Sequence, residues 1–438
     1  LSIFMLKSAV HANFYLLDRR VNNMVNTRKK VVGILCGGGP APGMNSVISA
    51  VTMEARRRGW DVYGIYEGFS HLAKGEKEYI KLNYDLVSRI HLTGGCMLHM
   101  SRFNPTKREE DLAMVVNTLN EMGIAYLVTI GGDDTAYSAS CVAAYAQECG
   151  QSLSVVHVPK TIDNDLPLPP GVPTFGFETA RAVGTQLLEN LMEDARTTNN
   201  RWYFAVTMGR TAGHLALGIG KSAGAIISLI PEEFTEDKVS LQKIVDILTC
   251  SIVKRYLTGR NYGVAVIAEG IIDKIDEADL RSLGDVSLDE HGHIRYAELD
   301  FGEVLKKAVL EELKKVDIKM TIVDEKMGYT LRCAPPISYD IDYTRSLGYA
   351  AVRFLSEGGS SAMITMENNE SVPIPFCDLR DENGHTKVRY VDIRSTHYQL
   401  ARDFMIRLSQ EDLDDVQMAN MFGLSTDEFS ARYAYLLE

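Results

Sequence analysis

The chain is punctuated by short apolar runs that do not alternate with polar positions. Val31-Val32-Gly33-Ile34-Leu35-Cys36 comes first, and Ala125-Tyr126-Leu127-Val128-Thr129-Ile130 and Ser154-Val155-Val156-His157-Val158 follow the same pattern. A strand that is apolar at consecutive positions is covered on both faces, as in a parallel sheet held between helices. Asp61-Val62-Tyr63-Gly64-Ile65-Tyr66 reads as another strand, and helices are predicted after Gly43 through Arg58, near 107–122 and from about 135 to 148. Strands alternating with helices predict βα units and a doubly wound parallel sheet. The second half repeats the habit without repeating the residues: 203–207, 225–230 and 263–268 read as strands, with a helix over about 238–257. The polar span 285–300 reads as a loop or hairpin. Beyond 397 a helix is predicted with Leu400, Phe404, Met405 and Leu408 on one face.

Length and composition narrow the class. At 438 residues the chain exceeds one small core; about 150 residues per domain gives about three units, and two larger α/β domains fit as well. Hydrophobic residues at 45% and charged residues at 24% exclude a disordered chain, a collagen and a disulfide miniprotein. No apolar run reaches the ~18–20 residues that span a bilayer, which excludes an integral membrane protein. The net charge of −12 argues against nucleic acid and anionic lipid as partners. A local cluster of Arg and Lys can still hold a small anion. The 7 cysteines are scattered, without CxxC or a zinc spacing, so reduced thiols in a cytoplasmic protein are expected. Residues 1–30 lack a continuous apolar core and a small-residue cleavage site, and no targeting role is expected of them.

Ligands of parallel α/β sheets bind at the carboxyl ends of strands, and four unusual loops are expected there. Gly37-Gly38-Gly39-Pro40-Ala41-Pro42-Gly43 follows the first strand. Clustered glycines let backbone N–H groups approach an anion, and the next helix presents its positive end. The loop is neither GxGxxG nor a P-loop, so a tight turn without ligand stays open. Gly131-Gly132-Asp133-Asp134-Thr135 puts two adjacent carboxylates beside a phosphate-type loop. That arrangement calls for a cation, and Mg²⁺ prefers one or two carboxylates plus phosphate oxygens and water. Helix capping accounts for one Asp but not both. Pro159-Lys160-Thr161-Ile162-Asp163-Asn164-Asp165 offers a cation, a hydroxyl and two carboxylates, the set from which a base for phosphoryl transfer is drawn. A polar surface turn is the plain alternative. In Thr207-Met208-Gly209-Arg210-Thr211-Ala212-Gly213, an Arg at a strand end suits bidentate phosphate binding or, equally, a surface ion pair.

These loops, in this order, resemble the phosphofructokinases. The matching pieces are Gly-Gly-Pro-Ala-Pro-Gly-Met-Asn at 38–45, Gly-Gly-Asp-Asp-Thr at 131–135, Pro-Lys-Thr-Ile-Asp-Asn-Asp at 159–165 and Met-Gly-Arg at 208–210. Ser101-Arg102-Phe103, Ala268-Glu269-Gly270 and Gly328-Tyr329-Thr330-Leu331-Arg332 also match, and the resemblance covers about 30–360. It implies that Asp163 is the general base toward the sugar 1-hydroxyl, flanked by Thr161 and Asp165, and that Asp133 holds Mg²⁺. Gly38, Gly39 and Gly132 would give backbone contacts to the donor, and Arg102 would touch the transferring phosphoryl group. Met208, Gly209, Arg210, Glu269, Tyr329 and Arg332 would hold fructose 6-phosphate. Arg201 matches a family arginine that reaches across a subunit interface to the sugar phosphate.

Asp134 and Lys160 stand where the ATP-using bacterial members have glycine, and they resemble the pyrophosphate-using branch. Pro40 in place of Asp and Tyr329 in place of His fit the same branch. A carboxylate at 134 adds bulk and negative charge where the α-phosphate of ATP would lie. An ammonium at 160 can stabilise the leaving phosphate of a short donor. The resemblance therefore implies reversible transfer from pyrophosphate to fructose 6-phosphate. ATP as donor and a catalytically inactive regulatory subunit remain alternatives, the intact Asp133, Asp163 and Asp165 counting against the second. Extra length between Arg210 and Glu269, in 285–325 and in the tail gives no reason to expect control by ADP or phosphoenolpyruvate. Pattern and resemblance together imply two doubly wound, Rossmann-like α/β domains with the active site in the cleft between them. The donor domain would take 31–172 plus about 330–385, and the fructose 6-phosphate domain 173–329 plus about 386–438, after a 1–30 extension. A reach by Arg201 across an interface would require a homo-oligomer.

Overall fold

The computed structural model describes residues 29–282, 300–382, 384 and 386–437. The expectations for the 1–28 segment and for a loop or hairpin at 285–299 fall outside the described residues. In chain order the strands are β1 (Val31–Cys36), β2 (Asp61–Ile65), β3 (Tyr79–Leu82), β4 (Ile124–Gly131), β5 (Ser154–Thr161) and β6 (Phe175–Gly176). They continue as β7 (Arg201–Thr207), β8 (Ile227–Leu229), β9 (Gly263–Ala268), β10 (Thr321–Met327), β11 (Ala362–Glu367) and β12 (Glu370–Pro375). The first sheet has the order β12-β11-β5-β4-β1-β2-β3, with β6 beside β5; the second has the order β10-β7-β9-β8.

The apolar runs are the sheet interiors. β1 lies parallel to β4 with Ile34 opposite Val128 and Cys36 opposite Ile130, and β4 lies parallel to β5 with Gly131 opposite Pro159. Burial of consecutive residues on both faces is why these strands read as unbroken apolar runs. Both edges of the first sheet are antiparallel, β3 on β2 and the Pro-bearing β12 on β11.

The connections place the site. β1 has β2 on one side and β4 on the other, so the winding reverses between β1 and β4. β7 has β9 on one side and β10 on the other, so the second sheet reverses between β7 and β10. At such a reversal the loops leaving the two strand ends diverge and open a crevice. The first reversal is flanked by 37–43 and 131–135, the second by 208–213 and 328–332.

Three expectations are corrected. β5 runs on through Thr161, so Pro159, Lys160 and Thr161 are the end of a strand rather than a loop. The pairing of Gly131 with Pro159 and of Lys160 with Phe175 carries the strand forward. The run 225–230 forms a strand only at Ile227–Leu229. The tail helix Thr396–Asp403 ends before it can gather the expected apolar face: Leu400 and Phe404 are 44% and 78% exposed, while Leu408 is buried beyond the helix. The chain leaves the helix because Ile406 makes tertiary bonds. Its N–H donates to the Ile226 carbonyl at 2.9 Å, and its carbonyl accepts from Ser251 Oγ at 2.6 Å. β10, with Asp324-Glu325-Lys326 inside it, and the edge strand β12 do not show as apolar runs.

Asp340, fully buried at the start of the helix Ser338–Ser356, accepts from Gly176 N at 2.8 Å, Thr179 N at 2.7 Å and Thr179 Oγ1 at 2.6 Å. It thereby satisfies the open end of the helix Phe177–Thr198, whose N-cap is a glycine in left-handed conformation. Asp340→Ala leaves two amides and a hydroxyl unpaired in the interior. We expect a loss of about 3 kcal/mol, read as a melting temperature lower by several degrees, with Asp340→Asn intermediate. An unchanged melting curve would count against this role.

Candidate active site

Glycine lets the first loop fold down onto the neighbouring helix. Gly38 has φ +80°, and its N–H donates to the Ser101 carbonyl at 2.9 Å. A Cβ on Gly37 would come within 2.4 Å of Thr135 Oγ1, so the loop and the start of the helix Asp133–Glu148 touch without room for a side chain. Gly39 faces the other way. A Cβ there would meet the Arg332 guanidinium at 3.2 Å. Arg332 follows β10, so the crevices of the two sheets face each other across this contact.

At the end of β4 the helix begins at Asp133 itself. Its N-cap is Gly132 and no side chain caps it, so neither Asp133 nor Asp134 is spent on capping. Both carboxylates lie in the first turn, where the helix dipole favours negative charge. They open to the cleft, yet desolvation there and the neighbouring Asp133 push Asp134 above the usual carboxylate range, against Lys107, Arg210 and Arg102. The loop is pinned from below by His157 on β5. Its Nε2 faces the Gly131 carbonyl at 3.0 Å and its Nδ1 faces Thr129 Oγ1 at 2.8 Å. Burial holds its pKa down at about 3, so the ring is neutral and bridges the two as donor and acceptor.

β5 delivers the charged groups. Lys160 is 7% exposed, and its Nζ lies 3.8 Å from where a Gly38 Cβ would be. Burial pushes its pKa down, while Asp163, Asp165 and Asp133 push it up. Asp163 donates its N–H to Thr161 Oγ1 at 3.0 Å, and its own buried Oδ1 has no hydrogen-bond partner among the described residues. Burial and the Asp165 charge raise the Asp163 carboxyl to about 7, against Lys160 and Arg332. Asp165 is raised for the same reasons, burial and the charge of Asp133.

The second sheet contributes from its own reversal. Met208 bonds through its N–H to the Met327 carbonyl at 3.0 Å and packs against Gly328. The carbonyl of Gly209, at φ +138°, accepts from Gly270 N at 3.0 Å, which sets the Arg210 loop beside Glu269. Burial raises the Glu269 carboxyl, while Arg210 and Arg332 pull it down. Tyr329 is 79% exposed, with the Arg332 guanidinium 5.0 Å from its ring centre.

A cavity of about 210 Å³ unites Gly38, Gly39, Arg102, Gly132, Asp133, Asp134, Lys160, Thr161, Asp163, Asp165 and Arg210. Met208, Gly209, Glu269 and Arg332 adjoin this wall through the contacts above. Arg201 is not brought to it. It sits at the start of β7, at the opposite end of the strand from Met208, with Nη1 2.8 Å from Asp194 Oδ2. A larger groove, about 560 Å³, lies between the helices Met44–Arg57 and Ser338–Ser356 and contains none of these residues. Residues missed from the sequence include His157, which looks like an ordinary strand member, and Arg389, in a Lys-Val-Arg-Tyr-Val stretch without a motif, which grips the 164–165 backbone.

Residues 31–355 match the profile of the family described as phosphofructokinase. The chain belongs to the phosphofructokinase family. It is 50% identical, over 418 residues, to the pyrophosphate–fructose 6-phosphate 1-phosphotransferase of Thermotoga maritima, covering 93% of this chain and 99% of that one. It is 45% identical over 422 residues to the enzyme of the same name from Naegleria fowleri, covering 93% and 96%. The crystal structure of the pyrophosphate-dependent phosphofructokinase of Marinobacter aquaeolei shares the fold. It superposes with a TM-score of 0.65 at 19% identity, covering 90% of this chain and 91% of that one. The two mainly parallel sheets are thus the phosphofructokinase fold.

The cavity of this phosphofructokinase has a measurable electrostatic signature. In carboxyl-carbon NMR, Asp163 is expected to titrate near 7. Lys160→Met is expected to move that value further up, because it removes the cation favouring the carboxylate. Titration near the ordinary value of about 4 would overturn the geometry.

Proposed function

We propose that the protein transfers a phosphoryl group from pyrophosphate to the 1-hydroxyl of fructose 6-phosphate, reversibly, giving fructose 1,6-bisphosphate and phosphate. The observation that carries this reading is the meeting, in one cavity, of a buried Lys160 ammonium with the unpartnered carboxylate oxygen of Asp163. The names of the relatives at 50% and 45% identity support it.

Phosphoryl transfer asks the protein for position and charge rather than covalent chemistry. Asp163, at about 7, is poised to accept the hydroxyl proton as the sugar oxygen attacks phosphorus in line. Lys160 offsets charge on the leaving phosphate, and Arg102 steadies the moving group. Thr161 and Asp165 flank the base, and Gly38, Gly39 and Gly132 offer backbone donors to pyrophosphate. Asp134 would add bulk and negative charge where the α-phosphate of a nucleotide donor would lie. Met208, Gly209, Arg210, Glu269, Tyr329 and Arg332 hold the sugar phosphate from the other side. Arg201, turned away from its own cavity, supports a homo-oligomer in which it reaches the site of another copy.

The residues fit Mg²⁺. Among the described residues no group of three or more His, Cys, Asp or Glu side chains is gathered as a closed metal site. One or two carboxylates open to the cleft, completed by phosphate oxygens and water, are what Mg²⁺ takes. Asp133 would hold it, with Asp134 beside it, and the ion would neutralise charge on the donor. We assign 31–172 with about 330–385 to the donor side, supported by β11 pairing with β5. We assign 173–329 with about 386–438 to the sugar side, supported by the packing of Tyr398, Leu413 and Phe429 into the same hydrophobic core as Phe204 of β7 and Val266 of β9. Among the described residues no helix is long and apolar enough to cross a membrane. The scattered free thiols fit the cytoplasm.

A coupled assay with fructose 6-phosphate and Mg²⁺, comparing pyrophosphate with ATP, is expected to show rapid turnover with pyrophosphate alone. Turnover with ATP alone would overturn the donor, and none with either the reading itself. Asp163→Asn is expected to lower kcat by about 10²–10⁴-fold with the fold intact. In the wild type, kcat/KM should fall as pH drops through about 7, because a base with a raised pKa is protonated below it. Asp134→Gly combined with Lys160→Gly should abolish pyrophosphate use.

A further inference from the structure

The stretch after β12 runs back across the cleft, and Arg389 is its point of attachment. Its guanidinium donates from Nε to the Asn164 carbonyl at 3.1 Å, from Nη1 to the Val172 carbonyl at 2.7 Å and from Nη2 to Asn164 Oδ1. Its backbone N–H donates to the Asp165 carbonyl at 2.7 Å. Asn164 therefore keeps a left-handed φ of 58° between the two carboxylates of the loop. Such a conformation persists in a non-glycine residue when its surroundings hold it.

The same short stretch is fastened to the second sheet. The Arg389 carbonyl faces His214 Nε2 at 3.0 Å, at the start of the helix His214–Ala223. Burial keeps His214 low, at about 4, so the ring is neutral and donates. Two residues on, Val391 N donates to Glu232 Oε1 at 2.9 Å, and that oxygen also accepts from Gly213 N at 2.9 Å. Gly213 closes the loop that carries Arg210, and Thr211 Oγ1 lies 3.4 Å from Asp165 Oδ2. Residues 389–391 thus join the loop of the expected base to the loop of the expected sugar-phosphate Arg.

We propose that Arg389 is a positioning residue for phosphoryl transfer, fixing the Asp163–Asp165 loop against the Gly213–His214 turn so that the base and Arg210 keep one spacing. The inference rests on the reading above. It goes beyond that reading by giving the C-terminal segment a part in the chemistry. A fork is needed because one ammonium cannot reach the Asn164 carbonyl, the Asn164 side chain and the Val172 carbonyl in their fixed directions.

The test uses the full chain with pyrophosphate and fructose 6-phosphate. Arg389→Ala is expected to lower kcat by about 10–100-fold, as a misplaced reacting group does, while both KM values move less than about threefold. Methylguanidinium should restore several-fold of that loss and methylammonium should not. Arg389→Lys should recover only part of it. Glu232→Gln should lower kcat less, and the double variant should lose no more than Arg389→Ala alone, since both act through one strap. Amide exchange at Asn164–Leu168 should quicken in Arg389→Ala while the melting temperature stays near that of the wild type. A kcat within about twofold of wild type overturns the proposal, as does a loss without rescue that tracks the folded fraction. An inactive wild type overturns the functional reading instead, and the exchange measurement then still decides whether Arg389 holds the loop.

Discussion

An ammonium taken out of water is tolerated only where opposite charge is close, and Lys160 meets that condition at the end of β5. Burial works against its proton, while Asp163, Asp165 and Asp133 favour it. The relation is mutual: the same ammonium, with Arg332, keeps Asp163 from rising above about 7. Breaking such a set by removing one member leaves a charge uncompensated, which costs far more than the set contributes as a whole. The charges in this cavity therefore form a single unit, and the fold around it keeps them at one spacing.

That spacing comes from sheet topology. Each sheet reverses its winding once beside a central strand, and each reversal opens a crevice at carboxyl strand ends. The first supplies glycine backbone, Asp133 and Asp134; the second supplies Met208, Arg210 and Arg332. Neither crevice alone brings the Asp163 carboxylate together with Arg210 and Arg332. Arg332 over Gly39, Thr211 beside Asp165 and the 389–391 stretch are where the two crevices are joined. Gly39 matters here because a Cβ on it would press on the Arg332 guanidinium at 3.2 Å.

Much of this was legible in the chain. Consecutive apolar residues in β1, β4, β5, β7 and β9 revealed parallel strands, because burial on both faces leaves no polar positions to interrupt them. The loops after those strands were legible too, since glycine clusters and adjacent carboxylates are rare in ordinary turns. The edge strand β12 and the charged β10 were not, because a strand with a solvated face carries no run of apolar residues. The tail helix was legible as a helix but not in its end, because the tertiary bonds of Ile406 override the apolar spacing of Leu400 and Phe404.

By itself, then, the sequence determined the α/β class, the strand-end loops and the residue types that make phosphoryl chemistry, all of which are local properties of a few adjacent residues. Only the tertiary structure decided that Lys160 is a buried strand residue, that Asp163 is left with an unpartnered oxygen, and that Arg201 points away from its own cavity. It also decided that Arg389 grips a loop more than two hundred residues before it. Desolvation and hydrogen-bond partnership depend on which distant segments pack together, and adjacent residues carry no record of that.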